Sequence, residues 1–295
     1  MQLAANWPDL LEKDFRKIFQ DNYTVLPMMV PDLFNIQTSD AAFEKTSAVG
    51  QVPDFAEFTG KITEVSPAQG YDKTYTFTEY AAKIDIQRKL AADDQYRVMS
   101  RYPKNLSTSA SRSREKLGFQ LFELAFTFEP ADGDGAELCA SDHGSNVSGV
   151  TAQSNEGTTA LSATGVETVR LAMHGFKDDI GEKISVSPDT IIIPRALEQT
   201  GWEIINTKGK VDTANNNSNF HQGKYKLVVC DRLSDTTNWF MTDYSMQKEY
   251  LLWWNREPVQ FFQDKDSNTM VASYLGYYRV GTGWDDWRFI YGQLV

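Results

Sequence analysis

Cys139, Asp142 and His143 fall within five consecutive positions of the segment DGDGAELCASDHGSN, residues 132–146, among further acids and glycines. A thiol, an imidazole and carboxylates at this spacing suggest two chemistries, a Cys-His nucleophile and a metal loop. The nucleophile needs thiolate and imidazole in hydrogen-bond reach, an orienting group and an oxyanion site. Such pairs usually meet from separate parts of a fold, so close sequence neighbours read more simply as a polar surface turn. The metal reading fails on spacing. Aligning Asp132 and Asp134 with the first and third positions of an EF-hand loop puts Ala136 and Glu137 where a ligand and the turn glycine belong. Zinc needs more nitrogen or sulfur ligands than Cys139 and His143, and the other histidines, His174 and His221, show no matching spacing.

The rest of the chain offers nothing stronger. It contains no G-x-x-x-x-G-K-[ST], G-x-G-x-x-G or G-x-S-x-G, the patterns that cradle phosphates, bind dinucleotides or expose an esterase serine. The paired acids Asp93–Asp94, Asp178–Asp179 and Asp285–Asp286 have the right type for acid-base work. Adjacent acids are far more often helix starts, turns or solvated faces. RSREK, residues 112–116, reads as an exposed helix face. No catalytic residue, cofactor site or metal ligand is assigned.

With 295 residues the chain can form one large domain or two lobes around a sizeable core. Hydrophobic residues at 41% and charged residues at 23% are ordinary globular values and argue against wholesale disorder. The 17 Phe, 13 Tyr and 7 Trp are a surplus of large flat side chains, which serve cores and protein interfaces alike. A formal net charge of −11 argues against a surface built to neutralise phosphates. Cys139 and Cys230 are too few for a disulfide framework and are expected to be reduced and buried. The N-terminal residues have no basic-then-apolar secretion pattern, and no apolar run of about 18 residues occurs, so a soluble chain made in the cytosol is expected.

The elements that carry these residues can be read from periodicity. Residues 1–54 combine an amphipathic piece, with Leu10, Leu11, Phe15, Ile18 and Phe19 at helical spacing, and the proline-punctuated stretch VLPMMVPDLFNIQ. The latter reads as an extended arm whose Met28, Met29, Val30, Leu33 and Phe34 need burial on another subunit. Residues 55–90 alternate: FAEFTGKITEV, the turn SPAQGYD, and KTYTFTEY running on through Ile84 and Ile86 predict a long hairpin. A helix is expected over 103–128 from Leu106, Ala110, Leu117, Leu121, Leu124, Ala125 and Phe128. Thr164 and Glu167 have capping-box spacing for a second helix. Strands are expected at 184–186, 190–193 and 226–231, a helix from Pro194, and returning aromatic strands in VASYLGYYRV and WRFIYGQLV.

The order of these parts resembles the major capsid protein of tailed bacteriophages, an α+β fold shared with encapsulin shells, and within that group it looks most like the Mu-type major head subunit. The likeness is carried by YAAKIDIQRKLAADDQY, DGAELCASDHGSN, LSATGVETVRLAMHGFKDDIGEKISVSPDTIIIPRALEQTGWEII, KLVVCDRLSDTTNWFM and WDDWRFIYG taken together in order. It implies an N-terminal arm (1–54), an extended hairpin loop (55–90), a peripheral lobe with a long spine helix (91–184 and 264–295) and an axial lobe (185–263). It further implies hexamers and pentamers closing an icosahedral head around double-stranded DNA without sequence-specific binding. A virion capsid assembled in the host cytoplasm follows, with no membrane partner.

The resemblance also implies a separate scaffolding protein or a scaffold segment already removed, because the hairpin is reached by about residue 60 where some relatives carry roughly a hundred scaffold-like residues ahead of the arm; the initial Met favours the separate protein. A portal is a further implied partner, with a decoration protein optional. Some relatives crosslink through Lys and Asn. Lys61 and Lys73 lie in the loop, but no acceptor or catalytic acid is identifiable beside them, and crosslinking is not expected. Permanent shell contacts often bury about 2,000–5,000 Å², which would use the surplus aromatics. Met28, Met29 and Phe34 in the arm and Phe58, Tyr75 and Phe77 in the hairpin are the expected assembly contacts. An encapsulin-like compartment and a soluble two-lobed enzyme are the alternative readings.

Overall fold

The computed structural model describes residues 7–55, 57–58, 60, 64, 67, 69–87, 89–90, 93, 98–209, 218–266 and 271–295. Helix α1, Trp7–Val25, and the one-turn helix α2, Val30–Leu33, lead into strand β1, Asn35–Thr38. This differs from an extended arm reaching for a neighbour. Phe15 and Phe19 are buried on Tyr274 and Phe261, with ring centroids 4.9 and 5.3 Å apart in the pairs Phe15–Tyr274 and Phe19–Phe261. Val30, Leu33 and Phe34 enter the largest core cluster of their own chain. The prolines mislead because Pro31 occupies the first turn of α2, where a missing donor costs nothing. The buried Glu115 carboxylate accepts from the Met29 and Val30 amides at 2.8 and 3.1 Å, giving donors at this helix start a partner.

Strand β2, Phe43–Val49, pairs antiparallel with β3, Gln69–Thr76, from Phe43 opposite Thr76 to Val49 opposite Gln69. Among the described residues the partner of KTYTFT is therefore β2; the expected partner FAEFTGKITEV lies mostly outside the described residues, along with Lys61. After Phe77 the chain passes into β4, Thr78–Gln87, which joins a different sheet. The alternation is real, with Tyr75, Phe77 and Ile86 all buried. It serves two sheets in succession.

Helix α3, Arg101–Glu123, buries Leu106, Ser107, Ser111, Glu115, Gly118, Phe119 and Phe122, a stripe at three- and four-residue spacing. It spans about 35 Å at 1.5 Å per residue. The helix stops short of 128 because the chain turns at Leu124, whose carbonyl takes the Thr127 and Phe128 amides, while the Ala125 carbonyl accepts from Cys139 at 2.8 Å. RSREK is not wholly exposed: Arg114 donates to Tyr23 Oη and Asn255 Oδ1 at 3.0 and 3.1 Å and lies over Trp253.

Strands β9, Leu251–Asp266, and β10, Val271–Trp284, form a long hairpin flanked by β1 and β4 in the order β1-β9-β10-β4. Ala272, Tyr274, Gly276, Tyr278 and Val280 are its buried face; Leu106 of α3 lies within 3.5 Å of the Cβ position of Gly276. Pro258 sits within β9 beyond Asn255, where pairing with β1 has ended, so its missing amide donor leaves that ladder intact.

The second sheet has the order β5-β11-β8-β6-β7, from Glu156–Gly157, Ile290–Gln293, Trp239–Thr242, Thr190–Pro194 and Lys226–Cys230. Strand β6 is buried throughout and pairs parallel with β7, which explains its unbroken apolar run. Helix α4, Ala163–Met173, packs Val166, Val169 and Met173 into the cluster that holds Ile191 and Ile193 of this sheet. Its cap is Ser162, whose Oγ accepts from Gly165 at 3.0 Å, two residues ahead of the expected Thr164. Residues 184–186 form no strand; their segment carries only the isolated bridge Lys177–Lys183. Helix α5, Glu198–Asn206, follows β6, and helix α6, Tyr244–Tyr250, links β8 to β9.

Candidate assembly surface

The β2–β3 ribbon is clamped at its root and open at its tip. At the root the Tyr75 hydroxyl and Thr46 Oγ1 both donate to Asp285 Oδ1, at 2.5 and 2.6 Å. Burial and the Asp285 charge push the Tyr75 phenol far above its usual range. Two glycines of β10 permit the close approach: a Cβ on Gly283 would lie 2.6 Å from Tyr75 Cε1, and one on Gly281 would lie 2.7 Å from the Thr76 carbonyl. Lys73 is buried with its ammonium 4.4 Å from the Trp284 ring centroid. Burial lowers its pKa against the opposing pull of Asp134, Asp132, Asp285 and Asp286. The polar turn contributes the last straps, with Thr74 N donating to Asp132 Oδ2 at 2.5 Å and Gly133 N to the Asp72 carbonyl at 3.0 Å.

Beyond the root the ribbon crosses a cavity of about 520 Å³ lined by Lys73, Asp134, Asp179, Trp284 and Asp286 among others. Gln51 N reaches Asp179, 3.1 Å from Oδ1. On either side of that contact the chain exposes apolar side chains. Val49 is 75% exposed, Phe55 98% and Phe58 71%. Large apolar groups exposed along one projecting segment are unfavourable for an isolated chain and suit a contact surface.

The six expected contact residues divide. Phe58 is open, and Met28 and Met29 are half-buried. Phe34, Tyr75 and Phe77 are buried in their own chain, Phe34 edge-on to Trp253 with centroids 5.8 Å apart. Those three anchor the structure beneath a surface and do not themselves present one. Phe43, Val49, Val52 and Phe55 were not singled out from the sequence, although VGQVPDFAEF sets apolar residues beside glycine and proline, a composition suited to an exposed loop.

The residues first suspected of chemistry do other work. Cys139 is buried against Gly292, and burial together with Glu156 raises its thiol pKa well above the usual value. His143 turns away from it toward Asp134 and Asn155. Cys230 is also buried and unpaired, its thiol pushed up to about 11 by burial. Asp178 Oδ1 accepts from the Ile180 and Glu182 amides, and Asp286 from Arg288, which are turn-forming roles. Among the described residues no group of three or more His, Cys, Asp or Glu side chains is placed to hold a metal, and no helix is long and apolar enough to cross a membrane.

A family model described as phage capsid protein matches residues 70–292. The fold is similar to that of the capsid of a native GTA particle, with a TM-score of 0.61 at 13% identity over 91% of each chain. It is similar also to the procapsid of bacteriophage JBD30, with a TM-score of 0.54 at 15% identity over 97% of this chain and 74% of that one. The capsid of cyanophage P-SCSP1u gives 0.59 at 11% identity over 90% and 88%. No curated protein matches at the level of sequence. The chain belongs to the phage capsid protein family. It is a major capsid shell protein, a structural component of the virion, in the α+β fold of tailed-phage capsids.

Proposed function

We propose that the chain is a Mu-type head subunit that assembles with copies of itself into hexamers and pentamers of an icosahedral shell around double-stranded DNA, in the host cytoplasm. The observation that carries this reading is the contrast between the two ends of the ribbon. Its root is fixed by charged hydrogen bonds, whereas Val49, Val52, Phe55 and Phe58 at its tip stand exposed. A rigidly based, apolar-tipped projection suits a contact repeated around a closed shell, where the lobes stay fixed and the projection bridges neighbours.

In this reading residues 1–54 are the arm, 55–90 the bridging loop, 91–184 with 264–295 the peripheral lobe, and 185–263 the axial lobe. Strand β9 runs across the 263/264 division, and the five-stranded sheet draws on both lobes, which supports two lobes that move as one body. Met28, Met29 and Phe58 are the proposed contacts of the original six, with Tyr75 and Phe77 supporting the ribbon from below.

A scaffolding protein and a portal are the proposed assembly partners. The net charge of −11 supports weak, salt-sensitive contact with the packaged DNA. Electron microscopy of the expressed chain, with and without a candidate scaffold, tests the reading. Closed particles support it, and a discrete small oligomer under every condition overturns it. Nucleic acid inside particles from infected cells separates a viral head from a protein-filled compartment.

A further inference from the structure

The His143 side chain is fully enclosed and its two ring nitrogens both face oxygen. Nδ1 lies 2.7 Å from Asp134 Oδ2 and Nε2 lies 3.0 Å from Asn155 Oδ1. The Asn155 amide fits in one orientation: Nδ2 donates to the Leu138 and Ile290 carbonyls at 2.8 and 3.2 Å, and Oδ1 also accepts from Ala140 N at 2.8 Å. Reversing it would set the amide NH2 against the Ala140 N–H and its oxygen against two carbonyl oxygens. Turning the imidazole over instead would point carbon atoms at both partners. Nε2 therefore faces a true acceptor.

The other partner is a carboxylate. Burial acts against the Asp134 charge, while Lys73, which lines the same cavity, and the Ala136 amide favour the ionised form independently of His143. A neutral imidazole has a single N–H and would leave one of these two buried contacts as lone pair against lone pair. A doubly protonated ring satisfies both. The ring also stacks on the Trp287 indole, centroids 4.1 Å apart and planes 11° from parallel, an arrangement that favours a cation.

We propose that His143 is built into the fold as an imidazolium, and that its two N–H groups form a proton-dependent clasp: one closes the 132–143 segment on itself at Asp134, the other ties it to Asn155 and so to β11, and together they steady the segment that straps the β2–β3 ribbon. The same segment straps the ribbon through Asp132 to Thr74 N and through Gly133 N to the Asp72 carbonyl. The charged and titratable groups around the clasp include Asp132, Asp134, Glu137 and the adjoining Asp142 on its own segment, Glu156 beside Asn155, Tyr71 and Lys73 on β3, and Asp286 and Arg288 beyond Trp287. Loss of the second ring proton turns one charge-assisted hydrogen bond into a repulsive contact and loosens the ribbon root. The effect on shell assembly rests on the proposed bridging role of the ribbon; the protonation state of the ring does not.

The test is nitrogen NMR of the full chain labelled at histidine, recorded across about pH 5 to about pH 9, with hydrogen exchange on the same samples. At about pH 7 the spectrum is expected to show protons on both ring nitrogens of His143, as its two oxygen partners require. Once His143 loses its second proton, the exchange protection of the Thr74 and Gly133 amides, corrected for intrinsic rate, is expected to fall at least about tenfold, the scale of a lost hydrogen bond to a charged group. A single-proton tautomer of His143 at about pH 7 overturns the proposal. So does unchanged protection of both amides after deprotonation. If both expectations hold yet closed particles never form, the shell reading fails and the clasp stands.

Discussion

The Tyr75 hydroxyl donates to Asp285 Oδ1 at 2.5 Å, joining the second strand of the ribbon to the turn that ends the long β10 strand 210 residues away. Tyr75→Phe removes this donor while leaving Thr46 Oγ1 on the same carboxylate oxygen. A hydrogen bond to a charged group contributes about 1.5–3 kcal/mol, and the remaining Thr46 contact places the loss near the lower end. Urea unfolding of Y75F should show a lower midpoint at unchanged slope, with faster amide exchange concentrated in residues 43–49 and 69–76.

Gly118 sets two effects against each other. Gly118→Ala gains about 1 kcal/mol of helix propensity. Its Cβ, however, would stand 2.6 Å from Val30 Cγ2 and 3.3 Å from Phe34 Cε2, both in the core. Overpacking a filled core costs about 1–3 kcal/mol, and a β-branched valine has little freedom to withdraw. G118A is expected to be less stable than the parent chain by about 1 kcal/mol in thermal or urea unfolding. A more stable variant would show that α2 moves off the helix without penalty.

These two contacts also mark where the sequence was legible. The helix stripe of α3 and the apolar run of β6 follow from side-chain spacing, because each element buries one face, or its whole length, within a local frame. The partner of β3 could not be found that way. FAEFTGKITEV has the same alternation as FEKTSAV, and pairing depends on Asp285, Gly281 and Gly283 more than 200 residues downstream. Proline signals failed at Pro31 and were silent about β9, since a proline's cost depends on whether its missing donor had a partner. Of the contact surface, Phe58 was legible as an aromatic in the loop. Phe34, Tyr75 and Phe77 were not separable from it, because an aromatic side chain satisfies a core and an interface equally well.

Acid should weaken the fold through Asp134. Its folded pKa lies below the unfolded value, so its contribution is complete above the unfolded carboxylate value of about 3.9 and is lost as pH falls through the folded value. The urea midpoint should decline below about pH 4. Asp134→Asn keeps an acceptor oxygen for His143 but has no charge to titrate. Its curve should start lower at neutral pH and fall less steeply in acid. Parallel curves for the two proteins would show that Asp134 contributes nothing to the acid limb.

Buried thiols with raised pKa react slowly, because the thiolate is the attacking species and the sulfur is out of reach. Cys139 and Cys230 both meet these conditions. An aromatic disulfide reagent at neutral pH should label neither in the native subunit and both in denaturant. Rapid native labelling of Cys139 alone would return the polar turn to consideration as a reactive site.

The ribbon tip distinguishes folding from assembly. Phe55 and Phe58 touch little of their own chain, at 98% and 71% exposed, so Phe55→Ser with Phe58→Ser should shift the stability of the isolated subunit by less than about 0.5 kcal/mol. In a shell each buried phenylalanine side chain is worth about 1.5–3 kcal/mol, and the double variant weakens every contact that uses the tip. Sedimentation should therefore show the folded variant remaining as small species where the parent chain forms particles. Tyr75→Phe provides the contrast, since it loosens the root but leaves the tip intact. If the double variant assembles as the parent does, the tip is not the bridge, and the uncovered phenylalanines must be met by a partner other than a second copy.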